Sequence, residues 1–251
     1  MNQQAHIVAE NKEGVFTLTF NRVDKKNAIT AEMYQLLADG MMQANQDESV
    51  KIIKIVGSEN AFCAGNDLVD FLENPPNESD SPVWQFLAAL CDSEKPIIAG
   101  VNGPAVGIGT TLLLHCDLVV ASSTAIFAMP FVSLGLCPEA ASSLLLPQQV
   151  GLKKASEWLL LGSRFDAQQA NEAGLINYAV DTPEDVDAML DKWCQQLCKL
   201  PAESISVTRK FLRSQDLSAV KNRMQEEGDE FKRLLKSDAA QSAFQAFLKR
   251  S

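Results

Sequence analysis

Apolar and polar residues alternate through HIVAE (residues 6–10) and VFTLTF (residues 15–20), the two-residue period of half-buried strands. Lys12, Glu13 and Gly14 separate the two runs, so they read as a hairpin. After Thr30, a natural N-cap, the spacing changes. Met33, Leu36, Leu37 and Met41 recur at helical intervals and predict a helix over residues 31–45. IIKIV then marks a strand over residues 51–56, and PIIAGV another over 97–101, with a helix over 83–91 between them. A helix starting near Gly109 and a strand over 117–121 continue the alternation. Strand–helix–strand order running to about residue 180 points to an α/β core.

From Glu184 onward the pattern is helical almost throughout, over residues 185–199, 202–213, 218–236 and 238–249. These helices carry Trp193, Phe211, Leu212, Phe231, Leu234, Leu235, Phe244 and Phe247. Two readings stand for that tail: it covers the chain's own core, or it packs on a neighbouring subunit. ENPPNESDSP (residues 73–82) reads as a polar, acidic surface loop.

Composition narrows the function classes. The 251 residues are 46% hydrophobic and 22% charged, enough for one large core with an appendage or for two modest domains. The longest apolar runs fall short of the roughly 18–20 residues of a membrane span. MNQQAHIVAENKEG lacks the layout of a secretory signal, and Leu248-Lys249-Arg250-Ser251 is not the peroxisomal Ser-Lys-Leu address. The expected location is therefore cytoplasmic. A net charge of −10 disfavours a nucleic-acid binder. Arg22, Lys25 and Lys26 form a local basic cluster, readable as a solvated loop or as a site for a polyanionic small ligand.

Six cysteines (Cys63, Cys91, Cys116, Cys137, Cys194, Cys198) show no metal-ligand spacing; Cys194 and Cys198 lie one helical turn apart without companion ligands. His6 and His115 are too few for a histidine metal site, and His115 reads as a buried residue at the end of an apolar helix. No metal is expected. No G-x-S-x-G elbow is present.

The candidate chemistry lies in ENAFCAGNDL (residues 59–68) and NGPAVGIGTTLLLHCD (residues 102–117). Each follows an apolar strand run and passes through glycine and small residues into helical spacing. That geometry presents backbone N–H groups to an anion, and two of them converging would make an oxyanion hole. Gly65 precedes Asn66, and Gly107 and Gly109 bracket Ile108, so the N–H groups of Asn66 and Ile108 are the candidate donors. Glycine turns after strands also occur without any such role.

A proton carrier is needed beside them. Residues 129–147 contain one ionisable acid, Glu139. It either complements the first turn of a helix over residues 140–146, or serves as a desolvated general base among Phe131, Leu134, Leu136, Leu144 and Leu145. Burial and a helix N-terminus would push its pKa in opposite directions.

Taken in order, VFTLTFNRVDKKNAIT, ENAFCAGNDL, KPIIAGVNGPAVGIGTTLLLHCDLVVAS, FAMPFVSLGLCPEAAS and LGSRFDAQQANEAGLINYAV cover most of residues 5–180. Together they resemble the crotonase, or enoyl-CoA hydratase/isomerase, superfamily, and most resemble its peroxisomal-type Δ3,Δ2-enoyl-CoA isomerases. The resemblance implies an α/β spiral of ββα units over residues 1–190 and a C-terminal helical oligomerisation region over 191–251. It implies a homotrimer or dimer of trimers, an acyl-CoA thioester substrate, and no cofactor beyond the coenzyme A of that substrate. By position, Asn66 and Ile108 form the oxyanion hole. Ala64, Gly65, Asn66, Asp67 and Leu68 line the coenzyme A strip with Ile108, and Lys25 and Lys26 meet its phosphates. Hydratases of this family place acids where this chain has Thr111 and Phe131, so water addition is disfavoured. Glu139 falls where the isomerases carry their catalytic glutamate. The remaining alternatives are another crotonase reaction, such as hydration or thioester hydrolysis, and a non-catalytic acyl-CoA-binding protein.

Overall fold

The computed structural model describes residues 5–58, 60–76, 80–213 and 217–248. Glu59 of the first glycine segment, residues 77–79 of the acidic loop, residues 249–251 and the Phe247 side chain lie outside that description. The chain opens with β1 (Ile7–Lys12), β2 (Val15–Phe20), α1 (Ala31–Gln46) and β3 (Ile52–Val56). Then come α2 (Leu68–Glu73), α3 (Pro82–Asp92), β4 (Ile97–Val101), β5 (Pro104–Val106) and the single turn α4 (Ile108–Thr111). β6 (Leu118–Ser122), β7 (Ile126–Ala128), α5 (Ser142–Val150), α6 (Leu152–Leu160), β8 (Phe165–Asp166), α7 (Ala167–Glu172) and β9 (Tyr178–Val180) complete the mixed region. The helices α8 (Pro183–Lys199), α9 (Ala202–Arg213), α10 (Leu217–Leu235) and α11 (Asp238–Leu248) follow.

Two sheets stack in a spiral. The larger runs β1-β2-β3-β4-β6-β9 and the smaller β5-β7-β8. In the larger sheet β1 and β2 pair antiparallel through the predicted hairpin, while β2, β3, β4, β6 and β9 pair parallel; in the smaller, β5 and β7 pair parallel and β7 and β8 antiparallel. After β4 the chain steps to β5 in the second sheet, and after β6 it steps to β7. The chain after β3 does the same through a single parallel bridge, Cys63 to Ala105. Each circuit thus gives one strand to each sheet and then a helical turn, the expected ββα repeat. The continuous apolar runs of β3 and β4 follow from burial on both faces. Ile52, Ile98 and Val120 meet Val186, Leu190 and Trp193 of α8 on one side. Ile53, Ile55, Ile97 and Ala99 join the main core on the other.

Local signals explain most boundaries. The Thr30 side chain accepts from the Met33 N–H and starts α1. Thr182 and Asp185 form a reciprocal capping box at α8, with Pro183 in its first turn. Three expectations need correction. Leu36 is 37% exposed, and the buried stripe of α1 runs instead through Met33, Tyr34, Leu37, Ala38, Met41 and Ala44. The helix after Gly107 keeps α geometry only to Thr111 and tightens to a 3-10 turn over Leu112–His115. The helix after Glu139 begins at Ser142, because Ala140 and Ala141 both adopt left-handed backbone with φ of 57°. Glu139 therefore lies outside the helix, not in its first turn.

The two readings of the tail divide between its helices. Trp193, Phe231, Leu235 and Phe244 are buried against the chain's own core. On α9, by contrast, Phe211 is 71% and Leu212 80% exposed. Residues 190 and 191, where the sequence reading divides core from tail, both fall inside α8. Among the described residues, no helix is long and apolar enough to cross a membrane.

Candidate active site

The first glycine turn lies between two neighbours. On one side, the Ile29 N–H donates to the Gly65 carbonyl and the Asp67 N–H donates to the Ile29 carbonyl, a parallel bridge centred on Asn66. Backbone groups alternate in direction along an extended segment, so the Asn66 N–H faces away from Ile29, towards the second turn. On that other side, the Cys63 N–H donates to the Pro104 carbonyl at 3.0 Å and the Val106 N–H to the Cys63 carbonyl at 2.9 Å. Asn66 and Ile108 each lie three residues beyond this Cys63–Ala105 bridge.

Gly65, with φ of 93°, and Gly107, with φ of 56°, supply the turns that L side chains rarely adopt. The Gly107 N–H is used by the Ala128 carbonyl, and the Thr110 and Thr111 N–H groups both donate to the Gly107 carbonyl. Ile108 opens α4, where helical geometry provides no acceptor for its N–H. Among the described residues, neither the Asn66 nor the Ile108 N–H has an acceptor within hydrogen-bond reach.

Glu139 is tied to the second turn through Thr111. The residue is 7% exposed, and its Oε1 accepts a hydrogen bond from the Thr111 hydroxyl, one helical turn beyond Ile108. Burial pushes its pKa up to about 8; the Thr111 bond pulls down, and the nearby Glu227 carboxylate adds to the upward push. With no helix N-terminus beneath Glu139, the opposing influence expected from the sequence falls away. Phe131 is buried in the main core.

Three residues that sequence reasoning did not assign complete the setting. Tyr34 is buried on α1, and its hydroxyl donates to the Asn66 Oδ1 at 2.5 Å. Desolvation first, then the charge of Glu139, raises the Tyr34 pKa well above its ordinary value, so the phenol stays protonated and remains a donor. Its place two residues from Glu32 on an amphipathic helix gave no sign of this. His115, read only as buried, is 2% exposed and its Nε2 donates to the Ala140 carbonyl at 2.8 Å. Burial lowers its pKa to about 4 and keeps it neutral. Glu227, on α10, is the third and is taken up below.

The basic cluster is split. Arg22 Nη1 is bound to Asp67 Oδ2 at 2.7 Å and to the Ala28 carbonyl at 3.0 Å, both half-buried contacts, so it is committed internally. Burial alone would raise the Asp67 pKa, yet Arg22 and the first amides of α2 hold it below its ordinary value. Asp67 thus caps α2 and anchors Arg22 with its side chain. Lys25 and Lys26 remain exposed beside the strip, since the Ala64 N–H donates to the Lys26 carbonyl at 3.0 Å. Leu68 begins α2 and packs on the main core.

Known proteins of similar sequence and structure place the chain in a family. The OdaA protein of Pseudomonas aeruginosa superposes with a TM-score of 0.95 at 42% identity, covering 98% of this chain and 99% of that one. Enoyl-CoA delta isomerase 2 of Rattus norvegicus is 36% identical over 218 residues, 84% of this chain. 4-Chlorobenzoyl coenzyme A dehalogenase-2 of an Arthrobacter species is 33% identical over 239 residues, covering 91% of this chain and 81% of the relative. The chain spans only 55% of the length of the rat isomerase. The enoyl-CoA hydratase/isomerase family matches residues 10–251, and with the ββα spiral and the paired glycine turns the chain belongs to that family, with the crotonase fold.

Proposed function

We propose that this protein is an enoyl-CoA isomerase that moves a C3–C4 double bond of an acyl-CoA thioester to C2–C3. The observation that carries the reading is Glu139: a buried carboxyl whose pKa is raised to about 8, one hydrogen bond from the turn that offers the Ile108 N–H. In a 3-enoyl thioester the C2 proton is both α to the carbonyl and allylic. The Glu139 carboxylate takes that proton, and the C2–H electron pair moves into C1–C2 as negative charge develops on the thioester oxygen. The Asn66 and Ile108 N–H groups hold that oxygen; losing one such donor typically costs about 2.7–4 kcal/mol of barrier. The protonated Glu139 then returns its proton at C4, and the double bond settles between C2 and C3 with the thioester restored. A single carboxyl serves both steps, and no cofactor is required beyond the coenzyme A carried by the substrate.

Ala64, Gly65, Asn66, Asp67 and Leu68 bound the coenzyme A strip in this reading, with Lys25 and Lys26 at its phosphate end. A cytoplasmic role in fatty acid β-oxidation, and assembly as a homotrimer or a dimer of trimers, complete the proposal. The exposed apolar face of α9 supports assembly.

The test is a panel of 3-enoyl-CoA substrates of increasing length, followed by the absorbance of the conjugated 2-enoyl thioester. Appearance of that absorbance, abolished in Glu139→Gln, is the expected result. Loss of absorbance from a 2-enoyl-CoA would make the protein a hydratase, and free thiol release a thioester hydrolase. Tight acyl-CoA binding with no turnover would make it a binding protein.

A further inference from the structure

The loop that carries Glu139 is held from a distance. Glu227 lies in the middle of α10, 6% exposed, and its Oε1 accepts the Ser143 N–H at 2.9 Å. Its own main-chain carbonyl accepts from the Cys137 Sγ at 3.6 Å. Residues 137 and 143 bracket Glu139, so one residue grips the loop on both flanks. One turn earlier on α10, Arg223 Nη1 donates to the Ser143 hydroxyl at 3.1 Å. The loop needs such a grip because left-handed backbone is unfavourable at a non-glycine residue, and Ala140 and Ala141 both adopt it.

We propose that Glu227 is a positioning residue for Glu139: it fastens the loop that aims the Glu139 carboxyl and sets a second carboxylate behind it. This rests on the isomerase reading above, in which Glu139 is the group that moves the proton. A clamp alone would not call for a carboxylate. A glutamine carbonyl would accept the Ser143 N–H equally well, without the cost of desolvating a charge. Instead Glu227 keeps its Oε2 buried with no partner among the described residues. The raised proton affinity of Glu139 follows first from burial and is increased by the Glu227 charge.

Burial raises the Glu227 pKa as well, while the Ser143 and Ala141 amides and the Arg223 guanidinium favour its charged form. Thr111 from α4 faces Glu139 as a neutral donor, and Tyr34 from α1 and Cys63 from the first glycine turn are protonated by burial. Facing Glu227 are the Ala141 and Ser143 N–H groups, Cys137, Glu139 and Arg223. Arg223 also holds Glu226 at 2.9 Å through its Nε.

Glu227→Gln and Glu227→Ala separate the clamp from the charge. Each is followed by the pH profile of kcat on a 3-enoyl-CoA and by titration of the Glu139 carboxyl 13C shift in labelled protein without substrate. Glu227→Gln should move the Glu139 titration and the acid limb of kcat to lower pH, since the second negative charge is gone. Glu227→Ala should lower kcat by about 10²-fold, the scale of an ångström of misplacement, with KM within about threefold. The glutamine variant should recover most of that loss. An unmoved Glu139 titration in Glu227→Gln overturns the proposal. So does an alanine variant whose loss lies in KM, or a folded glutamine variant as poor as alanine. If the alanine variant does not fold, the glutamine titration decides alone. If the native protein turns over no 3-enoyl-CoA while the 13C titration still moves, the isomerase reading falls and the Glu227–Glu139 coupling stands.

Discussion

Gly109 lies against Cys63 with no room for a methyl group: a Cβ built there would stand 2.5 Å from the Cys63 carbonyl oxygen and 2.9 Å from the Cys63 Cβ. The two glycine turns therefore touch at this pair, and their spacing sets the spacing of the Asn66 and Ile108 amides. Gly109→Ala should push the turns apart and lower kcat/KM by about 10²–10³-fold, the scale of losing one oxyanion donor. Steady-state kinetics on 3-enoyl-CoA, beside a far-UV spectrum showing an intact fold, checks this. A variant with native kcat/KM would mean that the spacing of the turns does not matter.

As the proposed base, Glu139 must be ionised to accept the C2 proton, so activity should rise with pH through about 8, to which burial pushes its pKa. Glu139→Gln should cost about 10²–10⁴-fold in kcat and abolish that limb. A flat profile between pH 6 and pH 9 in the native enzyme would contradict the assignment.

Stability should run the other way. Glu139 rises from an ordinary 4.5 to about 8 on folding, so between those values the folded chain holds a proton that the unfolded chain releases. The contribution is fully present below about pH 4.5 and is lost as pH rises through about 8. Glu139→Gln has no such loss and should be more stable than the native protein at pH 8–9, by about 1–3 kcal/mol, and similar at pH 4. Urea denaturation at the two pH values measures the difference.

Thr111 donates to Glu139 and favours its ionised form. Thr111→Val removes the donor at nearly constant volume, leaving burial and the Glu227 charge unopposed. The acid limb of kcat should then move to higher pH, with kcat at neutral pH falling. A limb that moves down or stays would show that the hydroxyl does not act on the proton affinity of Glu139.

The α9 face tests assembly. Phe211 and Leu212, with Val207 one turn before, present apolar surface that the chain itself does not cover. If the chain assembles through this face as proposed, Leu212→Asp with Phe211→Asp should give a monomer in light scattering without loss of helical signal. A native protein already monomeric at micromolar concentration would remove this face from the argument.

Much of this architecture is visible in the residues. The glycine turns announce themselves because few other residues tolerate their backbone, and β3 and β4 announce themselves as uninterrupted apolar runs. The start of α5 was hidden for the opposite reason. Pro138 and Glu139 are good first-turn residues and alanine is a strong helix former, so nothing in Pro-Glu-Ala-Ala signals left-handed backbone. Leucine spacing points Leu36 inward, whereas it is the phenol of Tyr34 that turns in to a partner on another segment. Tyr34 with Asn66, and Glu227 with Ser143, are contacts across 32 and 84 residues, and periodicity carries no trace of pairings so distant. The same holds for α9: its amphipathic pattern resembles that of its neighbours, and only the packed chain shows which helix is left uncovered.

Alanine at positions 140 and 141, where glycine would sit more comfortably, has one further effect. Glycine samples many more backbone states, and a carboxyl mounted on it would wander between encounters. The methyl groups, together with the imidazole of His115 on the Ala140 carbonyl, keep the acid stationed before any thioester arrives. Ordering is thus completed when the chain folds, so none of the energy of substrate capture has to be diverted to it at each turnover.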